Sequence, residues 1–132
     1  MVCYVKRLIG RTIRSGSGEG RALVSSEPIG FLGGVDPETG FVIEKGHQLE
    51  GQSIAHRVLV FPTGKGSTVG SYTIYRLARN GLAPAAIVNA QSEAIVAVGA
   101  IISDIPMVDL IDITELETGD RVVVEDGVVT IG

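Results

Sequence analysis

Between His56 and Ala90 the chain passes through an apolar β-branched run, a glycine-rich turn, a helical pattern and a second apolar run. HRVLVF (His56–Phe61) shows no polar alternation, so a strand made from it must be covered on both faces. Ile74, Leu77 and Ala78 then fall at helical spacing, with Ser71 as N-cap and Asn80-Gly81 as the stop. PAAIVNA (Pro84–Ala90) reads as another buried strand. Ser92 caps a second expected helix, in which Ile95, Val98, Gly99 and Ile102 form one apolar stripe before Pro106. PMVDLID returns to strand character and TELETGD is a solvated connection. DRVVVEDGVVTIG is a hairpin on the Asp126-Gly127 turn.

The first sixty residues are organised differently. Val2 to Ile13 contains strand-like material, SGSGEG (Ser15–Gly20) is a flexible turn by composition, and RALVSS (Arg21–Ser26) is a short strand closed by Pro28. IGFLGGVDPETGFVIE (Ile29–Glu44) sets a Gly-Gly pair and a Pro-Glu-Thr-Gly turn between short apolar runs, which is loop and hairpin chemistry. A chain made wholly of βαβ units would not begin with strands and turns alone, so the order predicts one mixed α/β domain over residues 1–132. His56, at the start of a core strand, is expected to be structural.

Charge and cysteine content remove several function classes. The 11 Lys and Arg against 15 Asp and Glu give a formal net charge of -4 with no basic block, which argues against nucleic acid as partner. No apolar stretch reaches the roughly 18 residues of a membrane span, and MVCYVKRLIG lacks the features of a signal peptide, so a cytoplasmic location is expected. Cys3 is the single cysteine, too few for an intrachain disulfide or for the ligands of a zinc or iron–sulfur site. The 18 glycines and 45 % hydrophobic residues fit a compact Val/Ile-rich sheet with many tight turns, or an apolar surface covered by a partner chain.

The turn FPTGKGSTVGS carries most of the functional signal. It is not a P-loop: Gly64-Lys65 is followed by Gly66 instead of Ser or Thr, and Leu59 stands where the first glycine is required. It can serve as an anion cradle, because a strand–turn–helix start points backbone N–H groups at the loop while Gly64, Lys65, Gly66, Ser67 and Thr68 allow close approach and add donors. Ser67 can also be reactive, since an alkoxide there would be stabilised by those N–H groups. A plain corner whose hydroxyls cap the helix is the remaining alternative.

Taken together, ALVSSEPIGFLGGVDPETGFVIEKGHQLEGQSI, VLVFPTGKGSTVGSY and GLAPAAIV resemble the small subunits of the aconitase X family, from about Gly10 to Pro106. The resemblance implies a swivelling β/β/α domain with a mixed, barrel-like sheet and two or three helices, equivalent to the mobile fourth domain of aconitase. It implies that Ser67, in Gly64-Lys65-Gly66-Ser67, is the proton acceptor of a hydro-lyase, with Gly64, Lys65, Gly66 and Thr68 binding substrate. It further implies a large catalytic subunit carrying an iron–sulfur cluster, no cofactor on this chain, and a small phosphorylated carboxylate as substrate. The expected reaction is dehydration of (R)-5-phosphomevalonate to trans-anhydromevalonate 5-phosphate in the archaeal mevalonate pathway. Another dehydratase of the family, acting for example on a hydroxyproline, or a free-standing phosphometabolite-binding module, are the alternatives. In aconitase the reactive serine is followed by a serine and a substrate-gripping arginine; here Thr68 and Val69 follow, and Lys65 is the candidate replacement. Gly33, Gly34, Asp36 and His47 belong to the same pattern and are candidate neighbours of the cleft, against the plainer reading of a tight hairpin with a surface histidine.

Overall fold

A computed structural model describes residues 5–132. Cys3 and the beginning of the strand material expected at 2–13 lie outside the described residues. The strands are β1 (Lys6–Ile9), β2 (Arg11–Arg14), β3 (Ser17–Val24), β4 (Val58–Phe61), β5 (Ala86–Asn89), β6 (Met107–Asp109), β7 (Arg121–Glu125) and β8 (Val128–Ile131). Helix α1 (Gly70–Arg79) links β4 to β5, α2 (Ala94–Ile102) links β5 to β6, and a short 3₁₀ turn (Ile113–Glu115) precedes β7.

The strands pair in the order β1-β8-β7-β3-β4-β5-β6-β2. Its two ends, β1 and β2, are consecutive in the chain with only Gly10 between them, so the sheet curls until its ends meet. There the Gly10 N–H donates to the carbonyl of Gly127 at 2.9 Å, in the β7–β8 turn. The expected mixed, barrel-like sheet with two or three helices is observed, with two α-helices among the described residues.

Strand β3 joins two regimes. Ser17 to Arg21 run antiparallel to β7, whereas Ala22 to Val24 run parallel to β4. Strands β4, β5 and β6 are parallel, which requires the helical crossovers that join them. Along β4 the side chains alternate between two apolar cores. Val58 and Val60 point into the barrel with Ala86, Val88, Val122, Val124 and Val129, while Leu59 and Phe61 meet Ile74, Leu77 and Val96 of the helices. This double burial is why HRVLVF carries no polar alternation.

Several expectations are corrected. SGSGEG is not a flexible turn, because β3 begins at Ser17 and includes most of it. Its glycines serve close packing: a Cβ at Gly18 would overlap the Ala85 carbonyl, and one at Gly20 would lie 2.7 Å from the His56 carbonyl. His56 is not in the strand; it is exposed in a left-handed conformation (φ 61°), with its N–H bound to Ala83 at 2.9 Å, and β4 starts two residues later. Ser71 lies inside α1, where its hydroxyl donates to the Ile95 carbonyl at 2.5 Å and ties the two helices together. Glu93, not Ser92, caps α2, accepting from Ile95 N and Val96 N at 2.7 and 2.8 Å. The inward face of α2 is Val96, Gly99 and Ala100, while Val98 and Ile102 point outward and are about half exposed at 47 % and 48 %.

Candidate active site

The three parallel strands end at Phe61, Asn89 and Asp109, and the edge they share builds the site. Open sheets of parallel strands place ligands at this carboxyl end. Asn89 is fully buried and donates to the Phe61 carbonyl at 3.0 Å, fixing the last peptide of β4. Asp109, also fully buried, receives Arg11 Nε and Nη2 at 2.9 and 2.7 Å and the N–H and hydroxyl of Ser92 at 3.0 and 2.7 Å. Burial pushes its carboxyl up, but the hydrogen bonds from Arg11 and Ser92 outweigh that and hold it at about 2. The resulting anchor sets where α2 begins, and so where Glu93 sits.

From Phe61 the chain enters the loop 62–69. The Pro62 carbonyl accepts the N–H groups of Ala90 and Gln91 at 3.1 and 3.0 Å. On the opposite side, Ile29 N–H donates to the Thr63 carbonyl at 3.2 Å and Lys65 N–H donates to the Ile29 carbonyl at 3.1 Å. Residues 28–30 thus form a rail along which the loop is laid. Gly30 lies beneath Lys65, and Gly66 turns over it with φ 92°. A Cβ at Gly64 would overlap Glu93 Oε1, so the absence of a side chain there is what lets the loop close on the cap of α2.

Ser67 stands at the exposed top of this loop. Its Oγ accepts the Val69 N–H at 3.2 Å, and its carbonyl accepts the Gly70 N–H at 2.9 Å as α1 begins. The hydroxyl therefore sits at the positive end of a ten-residue helix, next to a backbone donor aimed at its oxygen. Both features offset part of the cost of placing negative charge on that oxygen. Lys65 pairs with Glu44 at 3.1 Å, and Thr68 is exposed beside Ser67.

The remaining candidates divide. Gly33 (φ 78°) and Gly34 form the turn after Phe31, and the Gly34 carbonyl accepts the N–H groups of Ile43 and Glu44 at 2.8 and 3.3 Å. They reach the site through Glu44, the partner of Lys65. Asp36 instead builds its own turn: Oδ1 accepts Glu38 N–H at 2.9 Å, and its carbonyl accepts Gly40 N–H at 2.7 Å. That turn meets the later part of α1, through Glu38 to Arg76 and the Pro37 carbonyl to Asn80. His47 is not a surface residue, as its side chain is only 1 % exposed and bonds to backbone at both ring nitrogens.

Glu44, Glu93 and the rail at 28–30 were not identified from the sequence. Their roles come from contacts across 21 to 36 residues, which no local pattern carries. A groove of about 310 Å³ lined by Thr68, Ser71, Ala94, Ile95 and Val98 opens between the helix starts, next to Ser67. Another hollow, of about 290 Å³ and lined by His56, Pro84, Ser103 and Asp104, lies at the opposite, amino ends of β4, β5 and β6. Among the described residues no three His, Cys, Asp or Glu side chains are placed to hold a metal ion, and no helix is long and apolar enough to cross a membrane. The one cysteine of this chain is too few to supply the ligands of an iron–sulfur cluster by itself.

Comparison with known proteins places this geometry. A family model described as the aconitase X swivel domain matches residues 7–131. The chain is 57 % identical over 119 residues to the phosphomevalonate dehydratase small subunit of Thermococcus kodakarensis, covering 90 % of each. It is 58 % identical over 112 residues to that of Methanosarcina acetivorans, covering 85 % of this chain and 78 % of the relative. The crystal structure of Thermococcus kodakaraensis aconitase X in its holo-form matches with a TM-score of 0.94 at 55 % identity, over 96 % of this chain and 98 % of that one. A solution NMR structure of a UPF0107 protein matches with a TM-score of 0.85 at 50 % identity, over 94 % and 97 %.

Proposed function

This chain belongs to the aconitase X swivel-domain family, and we propose from that membership that it is the small subunit of a phosphomevalonate dehydratase. The reaction is loss of water from (R)-5-phosphomevalonate to give trans-anhydromevalonate 5-phosphate, in the archaeal mevalonate pathway. In this reading residues 1–132 act as one swivelling domain in the cytoplasm, with neither nucleic acid nor membrane as partner, and have activity only when closed on a large subunit. The small-subunit relatives at 57 % and 58 % identity support it.

The observation that carries the chemistry is Ser67 Oγ, exposed at the start of α1 and receiving Val69 N–H. A proton next to a carboxylate is weakly acidic, so its removal needs a base held ready on one side while the hydroxyl departs on the other. Ser67, as the alkoxide, takes that proton, and the helix end and Val69 N–H stabilise the charge it carries beforehand. Lys65 offers a cation to an anionic end of the substrate, with Gly64, Gly66 and Thr68 shaping its approach. The iron–sulfur cluster implied for the large subunit would act on the leaving hydroxyl. Closure brings the two halves together and excludes water.

The outward apolar strip supports the partner assignment. Val98, Ile101 and Ile102 of α2 are 47 %, 50 % and 48 % exposed, and the groove at Thr68 and Ile95 continues this strip to the serine loop. A large subunit seated there would cover the apolar surface and face Ser67 at once. The deciding experiment is turnover of phosphomevalonate by the purified two-subunit complex. Ser67→Ala should lower kcat by about 100-fold or more while the complex still assembles; unchanged turnover would refute the base assignment.

A further inference from the structure

Among the described residues, His47 is a buried titratable side chain with no place in the chemistry above, and its bonds lead back to the serine loop. Nδ1 accepts the Leu49 N–H at 3.0 Å, so the ring hydrogen resides on Nε2. Nε2 faces the Pro28 carbonyl at 3.0 Å and donates to it. That carbonyl belongs to the same peptide unit as the Ile29 N–H, which donates to Thr63 in the serine loop at 3.2 Å. Because a peptide unit is planar and stiff, gripping its oxygen sets the direction of its N–H. The next carbonyl, that of Ile29, receives the Lys65 N–H at 3.1 Å. The Ile29 side chain, 2 % exposed in the core, fixes where this segment lies, but it does not fix the tilt of the peptide.

We propose that His47 is a positioning residue for the reaction: through the Pro28–Ile29 peptide it sets the height and tilt of the loop that presents Ser67. The neighbouring Gln48 adds a second clamp of the same kind, since its Oε1 accepts the Ser26 N–H at 2.7 Å, but that bond lies at the exposed end of the segment. His47 is the buried member, shielded from competing water. The proposal rests on Ser67 as the base, and it extends the site to a residue that touches neither substrate nor Ser67.

Two substitutions separate the ring's two bonds. In His47→Asn the side-chain oxygen falls near the position of Nδ1 and can keep the Leu49 bond, but nothing reaches Pro28. In His47→Gln the terminal amide falls near Nε2 and can keep the Pro28 bond, while Leu49 N–H loses its acceptor. Both are compared with the wild type and Ser67→Ala in the assembled two-subunit enzyme, by steady-state kinetics and by amide hydrogen exchange of residues 29 and 63–70. His47→Asn should lower kcat about 10- to 100-fold with KM within about twofold, since a misplacement of about 1 Å has that effect. Its Ile29 and Lys65 amides should exchange faster. His47→Gln should keep kcat within about threefold and keep those amides protected, a rescue that a purely structural histidine would not give.

Loss of kcat in His47→Gln overturns the proposal even where His47→Asn fails to assemble. Wild-type kcat in His47→Asn beside an inactive Ser67→Ala overturns it alone. An active Ser67→Ala overturns the base assignment and this proposal together.

Discussion

The carboxylate of Glu93 occupies the space that a side chain on residue 64 would fill. One carboxylate therefore caps α2 and seats the serine loop, and the two elements cannot shift independently. Gly64→Ala must either expel the cap or lift the loop. Loss of the cap alone costs about 1 kcal/mol, so unfolding in urea should show a destabilisation of about 1–3 kcal/mol once overlap with Val96 is added. Turnover should fall far more than stability predicts, by about 100-fold. A Gly64→Ala complex with wild-type kcat would show that the wedge is irrelevant to catalysis.

Lys65 meets Glu44 at 3.1 Å, with both side chains substantially exposed. A pair of this kind contributes little to folding, so Lys65 is free to exchange Glu44 for an anionic substrate group. Lys65→Met should leave the unfolding free energy within about 0.5 kcal/mol of wild type and raise KM about tenfold, the value of one charged hydrogen bond. Steady-state kinetics of the complex checks this, and an unchanged KM would remove Lys65 from the substrate's grip.

Asp109 gives a pH dependence with a definite sign. Its carboxyl is held at about 2, below the ordinary 3.8, by hydrogen bonds from Arg11 and Ser92 acting against burial. The charged form is the one favoured by the fold, so the stabilisation is fully present above about pH 4 and is lost as the pH falls from there to about 2. The shift corresponds to about 2 kcal/mol. Asp109→Asn should be less stable than wild type at neutral pH and show a flatter acid limb in thermal melts taken between pH 4 and 2.

The apolar strip on α2 predicts an assembly defect without a folding defect. Val98 and Ile101 are 47 % and 50 % exposed, so charges there meet water in the free chain. Val98→Glu with Ile101→Glu should leave the thermal midpoint of the isolated chain nearly unchanged and weaken association with the large subunit about 100-fold, in the range of central interface residues. Calorimetric titration of one subunit with the other provides the measurement. Undiminished affinity would place the interface elsewhere.

What could be read from the sequence follows what is local. The strand at Val58–Phe61, the helix carried by Ile74 and Leu77, the Asn80-Gly81 stop and the Asp126-Gly127 hairpin depend on residues a few positions apart, and each is observed. The Ser67 loop was singled out because its pattern is itself contiguous. Reading failed where the partner of a residue is remote. Gly18 was read as part of a flexible turn because the Ala85 carbonyl that requires a glycine there is 67 positions away. His47 was left between a surface residue and a cleft neighbour because Pro28, which its ring holds, precedes it by 19. The stripe on α2 was seen as apolar, but which of its residues are covered was not, since periodicity reports a face and not what covers it.

The meeting of β1 and β2 at Gly10 bears on how this molecule can be recognised at all. The ends of the sheet are four-residue strands tied to each other by the chain and carrying Lys6, Arg7, Arg11 and Arg14. They offer little backbone for an incoming strand to pair with, and charged side chains, three of them tied to Glu115, Asp109 and Asp104, flank what remains. Addition of a partner's strand is therefore disfavoured at this seam, and the helices and loops are the surfaces left to a companion protein. Contacts of that kind can part and re-form without unpicking a single ladder.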